Sequence, residues 1–326
     1  MKVNRILVPT DFSARSEAAV QMAGRFYAHF GTTIDLIHVV PLSMYFSESI
    51  DTLGIPFDME KDLYPHVLEH AYEELKNLAH KHIGREHCGQ LITIVDRKPS
   101  RAITDQANKN NYDLVLMSSR GKHASEWFRG SITEKIIRQS NVPVLTLDEP
   151  IKSEEMGIVF VPIDFSDNSF EALPTAFNIA KQFDAKIMLF HAVELYGDGV
   201  PMPAIMAAAE DEDRIYDALI RRMNEFFEEH DEYHIRIKQI PTESEDYFIY
   251  QNGGDSHSIL FCTQIERGIS AHHEIVTYAN SHADLAVMTT HGRTGLARFL
   301  IGSTAEQVVR NIKIPLLTIR PNGNDD

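Results

Sequence analysis

Cysteine is nearly absent: 326 residues contain only Cys88 and Cys262, and neither belongs to a Cys-x-x-Cys pair. That excludes a disulfide framework and a cysteine-based structural zinc site. Basic residues are too few for a polyanion binder. Lysine and arginine number 31 against 47 aspartates and glutamates, a formal charge of −16. A general nucleic-acid or anionic-membrane binder needs a cationic surface to displace counterions, so neither partner is expected. One small anion held by backbone amides remains compatible with this charge. No apolar stretch is long enough to span a bilayer, and Met-Lys-Val-Asn-Arg-Ile-Leu-Val-Pro lacks the basic region and apolar core of a secretory leader. A cytoplasmic location is the expectation. The phosphate-binding pattern Gly-x4-Gly-Lys-[Ser/Thr] is missing too.

What the chain does have is itself, twice. Ile6-Leu7-Val8-Pro9-Thr10-Asp11-Phe12-Ser13 recurs as Val159-Phe160-Val161-Pro162-Ile163-Asp164-Phe165-Ser166, with Asp164 lying 153 residues after Asp11. The same offset takes Leu36-Ile37-His38-Val39-Val40 to Leu189-Phe190-His191-Ala192-Val193. Asp113-Leu114-Val115-Leu116-Met117 matches Asp284-Leu285-Ala286-Val287-Met288 at an offset of 171. Val142-Pro143-Val144-Leu145-Thr146-Leu147 matches Ile314-Pro315-Leu316-Leu317-Thr318-Ile319 at 172. Collinear matches with a growing offset indicate duplication. Domains over 1–149 and 155–322 are expected, joined through the polar stretch Asp148 to Glu155.

Each copy reads as alternating strands and helices, five strands in all. Continuous apolar runs such as Arg5–Pro9 are the signature of parallel strands covered on both faces. The fold class is therefore α/β: two tandem Rossmann-like domains, each a five-stranded parallel sheet flanked by helices. The offset jump from 153 to 171 places an insertion in the second copy, at about 232–257. There Tyr233 to Ile240 alternates like a strand, and Asp246 to Tyr250 precedes the turn signal Asn252-Gly253-Gly254-Asp255. An added β excursion is expected. The long connections Pro41–Asp58 and Gly197–Ala207 are candidate lids or partner surfaces.

Ligands in such sheets bind beyond the carboxyl ends of the strands, where strand order reverses. Asp11 and Asp164 follow the first strand of each copy and fall at that edge. There each serves as a helix cap, as an acceptor for a ribose or base, or as both. After the fourth strand of the second copy comes Met288-Thr289-Thr290-His291-Gly292-Arg293, and then Gly302-Ser303-Thr304 opens a helix. Glycine lets backbone N–H groups approach a polyphosphate, and a helix start attracts anions. Arg293 or Arg298 can offset phosphate charge, and the Ser303 and Thr304 hydroxyls can add hydrogen bonds. The alternative is an ordinary glycine-bearing loop.

These segments together resemble the universal stress protein family: Pro-x-Asp-Phe-Ser after strand one, His-Val or His-Ala in strand two, and Gly-x9-Gly-Ser after strand four. Nucleotide-binding members of that family carry Gly-x2-Gly-x9-Gly-[Ser/Thr]. Gly292 and Gly302-Ser303 match its second part, and Thr289 stands where the first glycine would be. The resemblance implies that Asp164 and Ala192 line an adenosine pocket. It implies that Gly292, Arg293, Gly302, Ser303 and Thr304 hold phosphates, with Pro162, Ile163, Met288, Thr289 and His291 completing the cofactor-binding set. The cofactor implied is ATP, with or without Mg²⁺, in the second domain only. In the first copy Ser118 replaces the first glycine, only eight residues separate Gly121 from Gly130-Ser131, and Glu126 and Trp127 bring bulk and negative charge. That copy resembles members that keep the fold and lose the nucleotide. The final strands of the two copies are implied to form a pseudo-dimer contact, and a homodimer of chains is a further possibility.

The sixteen histidines do not form a ligand set by spacing. His66 and His70 are four apart on one helix but lack an evident third ligand. The functional expectation is a stress-response sensor or regulator that binds an adenine nucleotide, ATP or AMP, and signals to an unknown protein partner. Two alternatives stay open: a scaffold for a protein or apolar ligand, and a slow ATP hydrolase. No catalytic lysine or paired carboxylates support the latter.

Overall fold

The computed structural model describes residues 3–41, 64–84, 87–120, 131–148, 156–195, 212–240, 246–291 and 301–321. The chain divides into two compact units, residues 2–151 and 152–326. In the first, β1 (Arg5–Pro9), β2 (Thr33–Pro41), β3 (Cys88–Asp96), β4 (Leu114–Ser118) and β5 (Val144–Leu147) form a parallel sheet in the order β3-β2-β1-β4-β5. β5 starts two residues later than its apolar pattern suggests. Ser140 and Val142 are held in a turn by paired Ser140 Oγ–Val142 backbone hydrogen bonds. Helices α1 (Ala14–Phe30) and α2 (Tyr64–His82) pack together, as do α3 (Pro99–Lys109) and α4 (Ser131–Gln139). β4 is buried along its whole length, as a strand with helices on both faces must be. α2 buries Ala71, Leu75 and Ala79, a stripe at helical spacing.

The second unit repeats this plan with β6 (Ile158–Pro162), β7 (Lys186–Glu194), β10 (Asp255–Gly268), β11 (Leu285–Thr289) and β12 (Leu316–Ile319). Its order is β12-β11-β6-β7-β10-β9-β8. α5 (Asp167–Phe170), α6 (Ala172–Phe183), α7 (Glu212–Glu229), α8 (Ala271–His282) and α9 (Ser303–Asn311) flank it. The two extra strands are β8 (Ile235–Lys238) and β9 (Asp246–Asn252). They are antiparallel additions, turned through Gly253 and Gly254, both at positive φ. β8 is shorter than the alternating run from Tyr233, because Asp231–Tyr233 forms a single 3₁₀ turn and His234 takes a left-handed conformation.

The direction of this hairpin matters for function. β10 pairs with β7 through Phe261–Gly268 and with β9 through Asp255–Phe261. The hairpin therefore extends past the amino end of β7, away from the carboxyl edge. Its root is fastened by buried Asp246, whose carboxylate accepts hydrogen bonds from the Tyr216 hydroxyl and from the Ile240 N–H. Phe227 and Phe248 pack edge to face beneath it.

Two polar ties hold the amino edges. Asp113 Oδ2 accepts the Asn4 and Arg5 N–H groups at 2.8 and 3.0 Å, and Asp284 Oδ2 accepts those of Gly157 and Ile158 at 2.9 Å each. The first unit adds a network of its own around Asp35, which has no exposed surface. Its carboxylate accepts from Arg5 Nε at 2.9 Å, Gln90 N at 2.7 Å and the Tyr112 hydroxyl at 2.6 Å. Gly89 is required beside it, since a Cβ there would lie 1.9 Å from Asp35 Oδ1. Burial, together with the hydrogen bond to Asp35, pushes the Tyr112 phenol up to about 12. The folded state thus favours the protonated phenol. Its contribution is intact below pH ~10 and is lost as pH rises toward about 12. Unfolding free energy measured across that window should fall for the native chain, and Tyr112→Phe should remove this part of the decline. A parallel decline in the variant would show that Tyr112 is not its source.

Candidate functional site

Strand order reverses at β1/β4 in the first unit and at β6/β11 in the second, so the crevice at each carboxyl edge opens there. Strand one ends at a proline, Pro9 or Pro162. The next residue is clamped to strand two: Thr10 N donates to Ile37 O and Ile163 N to Phe190 O, both at 2.9 Å. Their carbonyls accept hydrogen bonds from His38 Nδ1 at 2.8 Å and His191 Nδ1 at 2.9 Å. A carbonyl can only accept, so each imidazole carries its proton on Nδ1. Burial holds the His38 pKa below its ordinary value, against the opposing pull of the Thr10 carbonyl and Asp11.

The aspartates come next, and they are not the helix caps. Asp11 Oδ1 accepts the Ser13 N–H and Asp164 Oδ1 the Ser166 N–H, each at 3.1 Å, closing an Asx turn. Asp164 Oδ1 also accepts the Ser166 hydroxyl at 2.5 Å. Capping falls to the serines, whose hydroxyls accept Ser16 N in α1 and Ser169 N in α5. The turn forces Phe12 to φ 60° and Phe165 to φ 67°, a left-handed conformation that non-glycine residues rarely adopt. Each phenyl ring rests on the strand-two histidine, with centroids 4.4 Å apart for Phe12–His38 and 4.6 Å for Phe165–His191.

Across the crevice in the second unit, Met288 and Thr289 end β11, paired with Thr318 and Ile319. Thr289, at the expected glycine position, is buried and donates its hydroxyl to the His291 carbonyl at 2.9 Å. Its side chain is folded onto the start of the loop it precedes. Thr290 Oγ1 and His291 Nδ1 are hydrogen-bonded at 3.0 Å. The Gly302 N–H returns to the Thr290 carbonyl at 2.9 Å, bringing the start of α9 to the end of β11. Gly302 caps α9 and has no side chain to occupy the N–H groups of the first turn. Ala192 lies two residues beyond Phe190, the last β7 residue paired with β6. Gly292 and Arg293 fall outside the described residues, as do Arg298, residues 42–58 and residues 197–207.

The first unit differs at the same place. Ser119 Oγ donates to Asp148 Oδ1 at 2.8 Å, and Arg120 Nε lies 3.0 Å from the same oxygen. Arg120 and Asp148 are only 17% and 10% exposed, so this ion pair is largely desolvated. By the repeat offsets their counterparts are His291 and Arg320. A carboxylate thus stands where the second unit has an arginine. Gly121, Glu126, Trp127 and Gly130 lie outside the described residues. Among the described residues, no three His, Cys, Asp or Glu side chains are grouped to hold a metal ion. Sequence reasoning nominated Ala192 and passed over its neighbour His191. The recurrence of histidine at an offset of 153 was the available signal.

Removing one partner of a buried ion pair strands the other charge. Arg120→Leu is therefore expected to destabilise the first unit by about 2–4 kcal/mol in urea unfolding, and Arg120→Leu with Asp148→Leu by less. Equal losses in both variants would mean that the pair is not the source of the effect.

The geometry agrees with the relatives of this chain. A protein-family model described as the universal stress protein family matches it twice, over residues 2–147 and 156–320. A universal stress protein of Methanocaldococcus jannaschii is 32% identical over 163 residues, half of this chain and 81% of the relative. A universal stress protein E homologue of Haemophilus influenzae is 22% identical across the full length of both chains. The crystal structure of an Archaeoglobus fulgidus universal stress protein superposes with a TM-score of 0.57, covering 98% of this chain and 99% of its own at 20% identity. The chain belongs to the universal stress protein family and carries its domain in two tandem copies.

Proposed function

We propose that the second unit binds an adenine nucleotide, ATP or AMP, and that the protein acts as a nucleotide-dependent sensor or regulator in the stress response. The observation that carries this reading is the crevice between β6 and β11. The Asp164 turn stands on one side of it, and on the other the Gly302 amide ties a glycine-capped helix N-terminus to the strand end. A helix start of this kind favours phosphate through its N–H groups and dipole. In this reading Ser303, Thr304, Gly302, Gly292 and Arg293 hold phosphates, while Asp164, Ala192, Pro162, Ile163, Met288, Thr289 and His291 surround the nucleoside. Were Mg²⁺ to accompany the nucleotide, Asp164 would help to hold it and the ion would offset phosphate charge. The first unit, whose Arg120 is paired with Asp148, is assigned no nucleotide. The corresponding domains are 1–149 and 155–322.

No helix among the described residues is long and apolar enough to cross a membrane. The regulatory partner is a protein that distinguishes the occupied from the empty second unit. Calorimetry with ATP and AMP tests the reading directly. One site per chain is expected. Gly302→Val, which sets a branched side chain before the first-turn N–H groups, should weaken binding at least tenfold with an unchanged circular dichroism spectrum. Asp11→Ala should leave affinity intact. No heat of binding with either nucleotide, or unchanged affinity in Gly302→Val, would refute the assignment.

A further inference from the structure

The strand-two histidine touches the chain on both sides of Asp164. Through Nδ1, His191 holds the carbonyl of Ile163, which belongs to the same peptide plane as the Asp164 N–H. Through its ring it supports Phe165, the residue held at φ 67° immediately after Asp164. The Ile163 N–H is already fixed to Phe190 O. With both peptide groups of Ile163 anchored to β7, the φ and ψ of Ile163 have little freedom, and the peptide plane that enters Asp164 is fixed. A left-handed phenylalanine costs about 1–2 kcal/mol, which the surrounding contacts must offset. His38 repeats the carbonyl hydrogen bond and the contact with a left-handed phenylalanine around Asp11 at an offset of 153, the rings tilted at 31° rather than edge-on at 90°. The two copies share it although their loops after strand four differ.

We propose that His191 is a positioning residue for Asp164. It brackets the aspartate by hydrogen-bonding the residue before it and packing against the residue after it, and so sets the direction in which the carboxylate meets a ligand. This rests on the assignment of the nucleotide to the second unit. The bond requires a donor at the Nδ1 position, and this requirement separates positioning from mere filling of space. Asparagine places an N–H near the Nδ1 position, whereas leucine fills the volume without a donor.

The test compares His191→Asn, His191→Leu and, in the other unit, His38→Leu, each in the full chain. The first readout needs no ligand: hydrogen exchange of the Ser166 amide, which donates to Asp164 Oδ1. Its protection should fall about tenfold or more in His191→Leu, as expected for loss of one buried hydrogen bond, and be largely retained in His191→Asn and His38→Leu. The second readout is ATP affinity by calorimetry, with the same order expected. Unchanged Ser166 protection in His191→Leu would overturn the positioning role. Equal loss in His191→Asn and His191→Leu would overturn it too, by showing that the donor is irrelevant. If the unmodified chain binds no nucleotide, the site assignment fails, and the exchange measurement alone still decides whether His191 positions Asp164.

Discussion

The structure depends on how little strand one and strand four are joined. β1 pairs with β2 over five residues but with β4 over two, Ile6↔Leu114 and Leu7↔Val115. β6 and β11 likewise pair only at Leu285↔Val159 and Ala286↔Phe160. In each unit the carboxylate of Asp113 or Asp284 draws the amino ends together by taking two consecutive N–H groups of the opposing strand. The strands are tied at the base and unpaired above it. Proline at the end of strand one, with no N–H to offer, keeps the ladder from closing further. A crevice at the carboxyl edge is the geometric consequence, and both copies inherit it because both keep the same aspartate and proline.

The duplication and the parallel sheets were legible because they are written in contiguous residues. Apolar runs mark buried strands, and collinear repeats mark copies. Asn252-Gly253-Gly254-Asp255 marks a tight turn, which needs positive φ. The carboxyl-edge location of Asp164 and of Gly302-Ser303 followed from the same pattern. What could not be read was any role decided by a distant partner. Asp35 gathers donors 30, 55 and 77 residues away, and Arg120 meets a carboxylate 28 residues on. Nothing local distinguishes Asp113, which ties two strands, from Asp11, which closes a turn. Even the division of labour at Pro-x-Asp-Phe-Ser was hidden. Aspartate and serine are both good caps in isolation, and only the left-handed phenylalanine between them assigns the cap to serine.

The insertion illustrates the same limit from another side. Its strands could be anticipated, but not the direction in which they leave the sheet. A segment inserted before the third strand of a parallel sheet enters at the amino edge, because parallel strands all begin there. β9 and β8 therefore build outward from the part of β10 that precedes its pairing with β7. Asp246 and the aromatic packing of Phe248 fix them against α7 on that side. The added strands enlarge the sheet at the edge opposite the crevice, so their chemistry is separated from that of Asp164 by the length of β10.

The described residues of the two copies agree closely at the strand-one turn and differ just after strand four. The strand-one turn is held by a backbone clamp, an Asx turn and a histidine–phenylalanine contact in both units. The described residues just after strand four have separated. One copy joins Ser119, Arg120 and Asp148 in a desolvated pair, while the other joins Thr289, Thr290, His291 and Gly302 through hydroxyl and backbone contacts. The first arrangement spends its cation internally, because an arginine paired with a buried carboxylate has little remaining attraction for an incoming phosphate. The second presents amides, which carry no net charge and can solvate an anion without first breaking an ion pair. Two copies with one scaffold thus differ, at the carboxyl edge, in the property that an anionic ligand would sense.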